Sequence, residues 1–341
     1  MTHPTSSPTY PVPHDLKRLF SRPDRLHDPL YVVTTVFNSP RYRTRWKLYE
    51  DFALRVERAG AILYTVEVAF GARDFAVTTS DNPHHVQLRT THELWLKENA
   101  LNLGVARLPS DWKYVAWIDA DVTFARNDWA DETRHLLQHY AIIQMWSEAQ
   151  DLTPEHTVHR RHLSLGWCNQ EGISQKYADA GYPYGRVGEP VYWHPGYAWA
   201  ATRRAWNGFG GLLDFALLGA ADYHMGWGFL GKMDRTVKDR MHPRYREKLL
   251  EWGRRADEAV DRNIGVMPGL ILHDWHGAKI DRRYNTRGQI LIEEMYDPTS
   301  DIFRDWQGLW QLTDRSPALR DRVRKYFHKR DEDSTHIAED N

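Results

Sequence analysis

The sequence predicts an α/β fold: a largely parallel, nucleotide-binding type of sheet in the first half and a loop-rich second half. Three observations predict it. Tyr31 to Phe37 is a β-branched and aromatic run stopped by Asn38-Ser39-Pro40. Arg41 to Ala59 carries Trp46, Tyr49, Ala53 and Val56 at helical spacing before Gly60, and Ala61 to Phe70 is a second run rich in Val, Ile and Tyr. Strand, helix and strand in that order make a right-handed βαβ unit and a parallel sheet. Third, the apolar run Tyr114 to Ile118 leads straight into Asp119-Ala120-Asp121, as a buried strand does where it emerges at the carboxyl edge of such a sheet.

The remaining elements follow in order. Residues 1 to 28 hold Pro4, Pro8, Pro11, Pro13 and Pro23 among Ser, Thr and His, and read as an extended arm. Val86 to Thr90 is a short strand, His92 to Leu103 a helix ended by Gly104, and Asn127 or Asp128 caps a helix that runs to His139. Ala141 to Trp146 closes the sheet. Residues 147 to 190 show little periodicity and read as long loops with a helix near Ser174 to Ala180; a loop of that length points to a function such as a lid. Val191 to Thr202 is strand-like with a break at Pro195-Gly196. Helices are expected from Gly219 to Gly226, from Pro243 to Arg262 and from Asp314 to Lys329, with a strand at Leu270 to Leu272. After Arg330 the acidic end reads as disordered. This divides the chain into an arm (1–28), a catalytic domain (29–313, with halves 29–146 and 147–313) and a charged tail (314–341).

Composition narrows the function. With 45 basic against 46 acidic residues, no global field draws the chain to nucleic acid or an anionic membrane. The single cysteine, Cys168, excludes an internal disulfide and fits a reducing compartment. No apolar run reaches the ~20 residues that span a bilayer, and the first residues lack the apolar core of a signal peptide. The expectation is a soluble, cytoplasmic protein.

Chemistry concentrates at Asp119 and Asp121. Side chains two apart share a face of an extended segment. Two carboxylates on one face at a strand end suit Mg²⁺ or Mn²⁺, which can in turn clamp a diphosphate. The plainer alternative is a turn whose Asp side chains bond local N–H groups. His273 and His276 follow the Leu270 strand and are three apart, as ligands on one turn would be; they favour Mn²⁺ over Ca²⁺, or are a satisfied core pair. Lys279 behind them can neutralise a phosphate, as can Arg282, while Arg287 reads as part of a solvated helix face. The helix from Pro243 bears many Arg and Lys, which would suit a phosphate backbone, but acidic residues are interleaved as on an ion-paired face.

Asp119-Ala120-Asp121, the preceding run Leu94 to Gly104, the segment Tyr197 to Gly211, the run Asp222 to Gly228 and His273 occur in an order that resembles the GT-A fold glycosyltransferases of the galactosyltransferase-like type. The resemblance covers about residues 30 to 312. It implies a Rossmann-like mixed sheet with helices on both faces and an acceptor-binding second half. It also implies Mn²⁺ or Mg²⁺ and a nucleotide-sugar donor, UDP-sugar foremost. Thr34, Val36 and Glu67 on the first two strands, with Trp95, Lys97, Asp119 and Lys279, would bind that donor. Asp121, Asp119, His273 and His276 would form the metal site, with Asp121 the direct ligand. An acceptor hydroxyl needs a carboxylate base; Asp222 takes that role, with His224 orienting the acceptor. The run around Asp222 departs from the galactosyltransferase pattern. Viral proteins that decorate 5-hydroxymethylpyrimidines in DNA are similar soluble chains, so DNA carrying such a base is one acceptor; a surface-glycan precursor is another. Two other classes stay open. Asp119-Ala120-Asp121-Val122-Thr123 also matches the first motif of haloacid-dehalogenase-like phosphatases, in which the first Asp is a nucleophile. A sugar- or nucleic-acid-binding module without catalysis would need neither carboxylate for turnover.

Overall fold

The computed structural model describes residues 28–173, 193–283 and 286–337. The elements of the first half are β1 (Leu30–Phe37), α1 (Arg43–Arg58), β2 (Ile62–Phe70), β3 (His85–Thr90), α2 (Lys97–Val105), β4 (Tyr114–Ile118), β5 (Val122–Phe124), α3 (Trp129–Leu136) and β6 (Ile142–Gln144). Then come β7 (Glu148–Leu152), β8 (Val158–Ser164), α4 (Leu165–Gln170), β9 (Trp193–His194), β10 (Ala198–Thr202), α5 (Arg203–Phe209) and α6 (Ala221–Phe229). The chain ends with α7 (Pro243–Val260), β11 (Ile264–Val266), β12 (Leu270–His273), α8 (Arg287–Glu293), β13 (Ile302–Arg304), β14 (Trp310–Leu312) and α9 (Pro317–His328).

Seven strands form a mixed sheet in the order β11-β6-β10-β4-β1-β2-β3. β1 is parallel to β2 and β4, β2 to β3, and β11 to β6; β10 runs against both β4 and β6. From β1 the chain winds outward to β2 and β3, then returns to place β4 on the other side of β1. That reversal is the switch point at which the carboxyl ends of β1 and β4 part and leave a crevice. Strand alternation splits the core between the two faces. Val33, Val115, Trp117 and Trp199 point to one side, against Leu101 and Val105 of α2 and Phe209 of α5. Val32, Ala116, Ile118 and Ala200 point to the other, against Phe52 and Val56 of α1 and Trp129 of α3. Gly104 lets α2 lie close on the sheet, since a Cβ there would stand 2.6 Å from Val33 and 2.7 Å from Val66.

A second, five-stranded sheet in the order β5-β12-β7-β8-β9 stands beside the first. It corrects two expectations. Residues 147 to 173 are not long loops but β7, β8 and α4. The strand ends at Ile118 as expected, but the two aspartates beyond it do not share an extended face: Val122 N–H bonds Asp119 O at 3.3 Å, so they sit in a turn, the plainer alternative. The acidic end also differs from expectation. Arg330 and Glu332 are both buried, each 4% exposed, because each carries the other's counter-charge. The helix expected at Ser174 to Ala180 lies outside the described residues, as does the arm up to residue 27. Among the described residues, no helix is long and apolar enough to cross a membrane.

Candidate active site

A cleft opens at the carboxyl ends of β1 and β4. β1 contributes Thr34 and Val36; Thr34 Oγ1 donates to Ile118 O at 2.9 Å and ties the two strands together at the crevice. Lys97 and Glu98 enter from the first turn of α2, Asp222 from the first turn of α6, and Arg45 from α1. His273, His276 and Lys279 come from the end of β12 and the turn after it.

Asp121, His273 and His276 form one buried cluster whose ligand atoms lie within 4.8 Å of one another. His276 Nε2 is 3.1 Å from Asp121 Oδ2, and His273 Nε2 is 3.7 Å from Asp121 Oδ1. Arg45 Nη1 donates to Asp121 Oδ2 at 3.1 Å. Burial works against the Asp121 charge, but His276, His273 and Arg45 hold its carboxyl well below the usual range. Asp121 Oδ1 is buried and has no hydrogen-bond partner. A buried carboxylate oxygen without a donor is costly unless a cation completes its shell. A carboxylate oxygen and imidazole nitrogens are the donor set that suits Mn²⁺-like ions, so these residues fit a divalent cation.

Asp119 turns the other way and pairs with Lys97. Burial pushes the Asp119 carboxyl up, Lys97 opposes the rise and the neighbouring Asp121 adds to it. Lys97 keeps its charge: burial would lower its pKa, but Asp119, Glu98 and Asp222 together raise it. The turn therefore hands one carboxylate to the histidines and the other to a lysine.

Behind the cluster lies a buried hub at Asp151, which sequence reasoning missed. Its Oδ1 accepts from His273 Nδ1 and from the Tyr197 hydroxyl, both at 2.8 Å, and its Oδ2 accepts from His162 Nε2 at 2.7 Å and from Lys279. Burial would raise the Asp151 carboxyl, yet Lys279 and His162 hold it well below the usual range. Burial takes His162 the other way, down to about 4. Lys279 thus lines the cleft with its ammonium already on a carboxylate. A carboxylate behind a metal-binding histidine fixes the ring's tautomer and orientation. Arg45, Glu98 and Glu332 were missed as well. Only Glu98 carried a signal, as the acidic neighbour of Lys97 at the start of a helix.

Some expected residues stand elsewhere. Glu67 does not face the cleft: its carboxylate accepts from Ala76 N–H, Val77 N–H, Thr78 N–H and Thr78 Oγ1, and so holds the loop after β2. His224 is buried inside α6 with Nδ1 2.7 Å from Thr236 Oγ1, so it cannot orient an acceptor. Trp95 borders the cleft, but Phe327 stacks on it at 6.4 Å, Phe37 meets its edge at 5.4 Å, and Arg330 lies 5.1 Å from its ring. A ligand ring finds little free face there. Arg282 donates to His276 O and Gly277 O, and Arg287, expected on a solvated helix face, is buried and donates to the Tyr326 hydroxyl.

His224 instead predicts acid sensitivity. Burial lowers its pKa from 6.5 to about 4. Between those values the unfolded chain binds a proton that the folded chain does not, so stability falls as pH drops from about 6.5 to about 4. The full loss is on the order of 3 kcal/mol. Urea unfolding across that range checks it: His224→Gln should flatten this part of the pH profile, and an unchanged slope would reject the assignment.

No protein-family model matches the chain, and no curated protein matches it. Among solved structures, it is similar to the catalytic domain of Drosophila β1,4-galactosyltransferase 7 in complex with xylobiose, at 10% identity and a TM-score of 0.35, over 89% of this chain and 99% of that one. It is also similar to a mutant of the same Drosophila enzyme in complex with manganese, UDP-Gal and xylobiose, at 10% identity and a TM-score of 0.30; that match spans 58% of this chain and 59% of the other.

Proposed function

We propose that the chain is a metal-dependent glycosyltransferase that moves a sugar from a nucleotide-sugar donor, a UDP-sugar in the first instance, to an acceptor hydroxyl. The observation that carries this reading is the unpartnered, buried Asp121 Oδ1, facing two histidines at the switch point of the sheet. The cluster of Asp121, His273 and His276 would seat a divalent cation, whose charge would offset the charge building on the leaving diphosphate. Lys97, held charged beside Asp119, adds a cation on the opposite side of the turn. Asp222 opens on the same cleft and is the carboxylate within the site that can take the acceptor proton. Of the two Drosophila structures, one holds manganese, UDP-Gal and xylobiose and the other xylobiose.

The acceptor is the finer question. DNA bearing a 5-hydroxymethylpyrimidine gains nothing from the basic helix α7, where Arg244 pairs with Glu247, Arg254 with Glu258 and Arg255 with Glu251. A glycan precursor therefore stands beside DNA as the acceptor to test. The experiment incubates the protein with Mn²⁺, a panel of UDP- and other nucleotide-sugars, DNA containing hydroxymethylcytosine, and glycan acceptors, and reads products by mass spectrometry. A hexose mass on either acceptor supports the transferase and names the acceptor class. Phosphate release from a simple ester, with every sugar nucleotide intact, would replace it with the phosphatase reading.

A further inference from the structure

The two histidines of the cluster face opposite kinds of partner through Nδ1. His273 Nδ1 lies 2.8 Å from Asp151 Oδ1, a carboxylate oxygen that only accepts, so the His273 proton sits on Nδ1 and Nε2 carries the lone pair. His276 Nδ1 lies 3.1 Å from Arg45 Nη2, a guanidinium nitrogen that only donates. His276 must therefore accept at Nδ1 and carry its proton on Nε2, where the near groups are Asp121 Oδ2 at 3.1 Å and His273 Nε2 at 3.1 Å. One ring offers a lone pair to the site; the other offers an N–H.

What fixes Arg45 comes from the far end of the chain. Glu332 takes the Arg45 guanidinium with both oxygens, through Nε and through Nη2 at 3.0 Å, and also accepts from Arg330 Nε at 2.6 Å. The segment around Glu332 is anchored on two sides. Asp333 accepts from Arg43 N–H and Thr44 N–H, both at 2.9 Å, and so caps α1, which lacks a side-chain cap of its own. On the other side Trp275 Nε1 donates to Ser334 O at 2.6 Å. Gly277 (φ 89°) lies against the same segment, where a Cβ would come within 2.7 Å of Asp331 O. The strap thus joins the helix that carries Arg45 to the turn that carries His276.

We propose that residues 330–334 are a working part of the cation site: Glu332 sets Arg45, Arg45 sets the tautomer of His276, and the cation is held by Asp121 and His273 while His276 positions Asp121 through its Nε2–H. This rests on the cation reading above and divides that cluster into ligands and a positioning residue. Glu332 and Arg45 act through His276 and touch no reacting atom.

The test titrates the full-length protein with Mn²⁺ alone, reading free Mn²⁺ by electron paramagnetic resonance and directly bound nitrogen by electron spin-echo modulation. The wild type should show one coordinated nitrogen. His273→Gln should lose that signal and weaken binding by about 100-fold. His276→Gln keeps an N–H donor, so it should keep the nitrogen signal and weaken binding less than His273→Gln does. Glu332→Gln should weaken Mn²⁺ binding about tenfold, with far-ultraviolet circular dichroism unchanged. Two coordinated nitrogens in the wild type, or equal losses in His273→Gln and His276→Gln, would make His276 a ligand and overturn the assignment. Wild-type affinity in folded Glu332→Gln would remove the strap from the site. A wild-type chain that leaves all Mn²⁺ free overturns the cation reading, and this inference with it, and is told apart from the other outcomes by that first measurement.

Discussion

Replacing Asp121 by Ala is expected to remove Mn²⁺ binding and to lower sugar transfer on the order of 10³-fold, the scale at which loss of one preorganised charge contact at a reacting phosphate or oxyanion is felt. The expectation follows from three contacts made by one side chain. Asp121 lies opposite His276 and His273 and accepts from Arg45, while its Oδ1 stays buried and unpartnered. Alanine deletes the negative charge around which those donors converge. The cation then loses its anionic ligand, and the Arg45 guanidinium loses one of its two carboxylate partners. The fold should survive, because Arg45 keeps both oxygens of Glu332 and His273 keeps Asp151. A circular dichroism melt and a Mn²⁺ titration of the same sample separate the two effects. Asp119→Ala makes a useful contrast: Asp119 belongs to the Lys97 pair and not to the cluster, so Mn²⁺ should still bind. If Asp121→Ala kept more than a tenth of wild-type turnover, the cluster could not be the diphosphate clamp. If only Asp119→Ala abolished activity, and the activity were ester hydrolysis, Asp119 would be a nucleophile and the phosphatase reading would stand.

The parts of this architecture that could be read from the sequence are those whose pattern is local. β1, α1 and β2 announce themselves because apolar residues alternate on the strands and recur at helical spacing on the helix, and the two faces of β1 do go to separate cores. β7 and β8 were illegible for the opposite reason. Their inward residues are Ala149, Asp151, Arg160, His162 and Ser164, all buried, so the period of two is written mostly in polar side chains and looks like loop. Such residues go inside only when they meet a partner of opposite character, and those partners lie on other elements. Lys279 stands 128 positions from Asp151, and Glu332 stands 287 positions from Arg45. Glu67 was misread because an acid near the carboxyl end of a strand can serve a ligand or its own loop with the same sequence; here the N–H groups of residues 76 to 78 reach it first. The aspartate turn was half legible. An apolar run followed by two acids located the site, but only the tertiary contacts show that the acids diverge.

Divergent roles also separate the two carboxyl groups on the acceptor side, and here a second large effect is expected. Asp222 and Glu98 both line the cleft beside Lys97, each in the first turn of a helix. Room for Asp222 depends on Gly196, since a Cβ there would come within 2.9 Å of Asp222 Oδ2. Burial lifts the Glu98 carboxyl to about 8, against the pull of Lys97 and with a further push from Asp222. At pH 7 Glu98 is therefore neutral and offers an O–H, not a lone pair for an acceptor proton, which leaves Asp222 as the base. Asp222→Asn should cut kcat by about 10² to 10⁴, the usual worth of a positioned base, with Mn²⁺ and UDP affinity unchanged. Glu98→Gln keeps a neutral donor of similar shape, so at pH 7 its kcat should stay within about threefold of wild type, far short of the loss of a base. Its signature lies in the pH profile. As pH rises through about 8 the wild type gains a negative charge beside Asp222 that Glu98→Gln never gains. Any limb of the kcat/KM profile near pH 8 should thus vanish in Glu98→Gln and persist in Asp222→Asn. If Glu98→Gln instead lost turnover as severely as Asp222→Asn at pH 7, and the wild-type rate rose through pH 8, the roles would be exchanged and Glu98 would be the base.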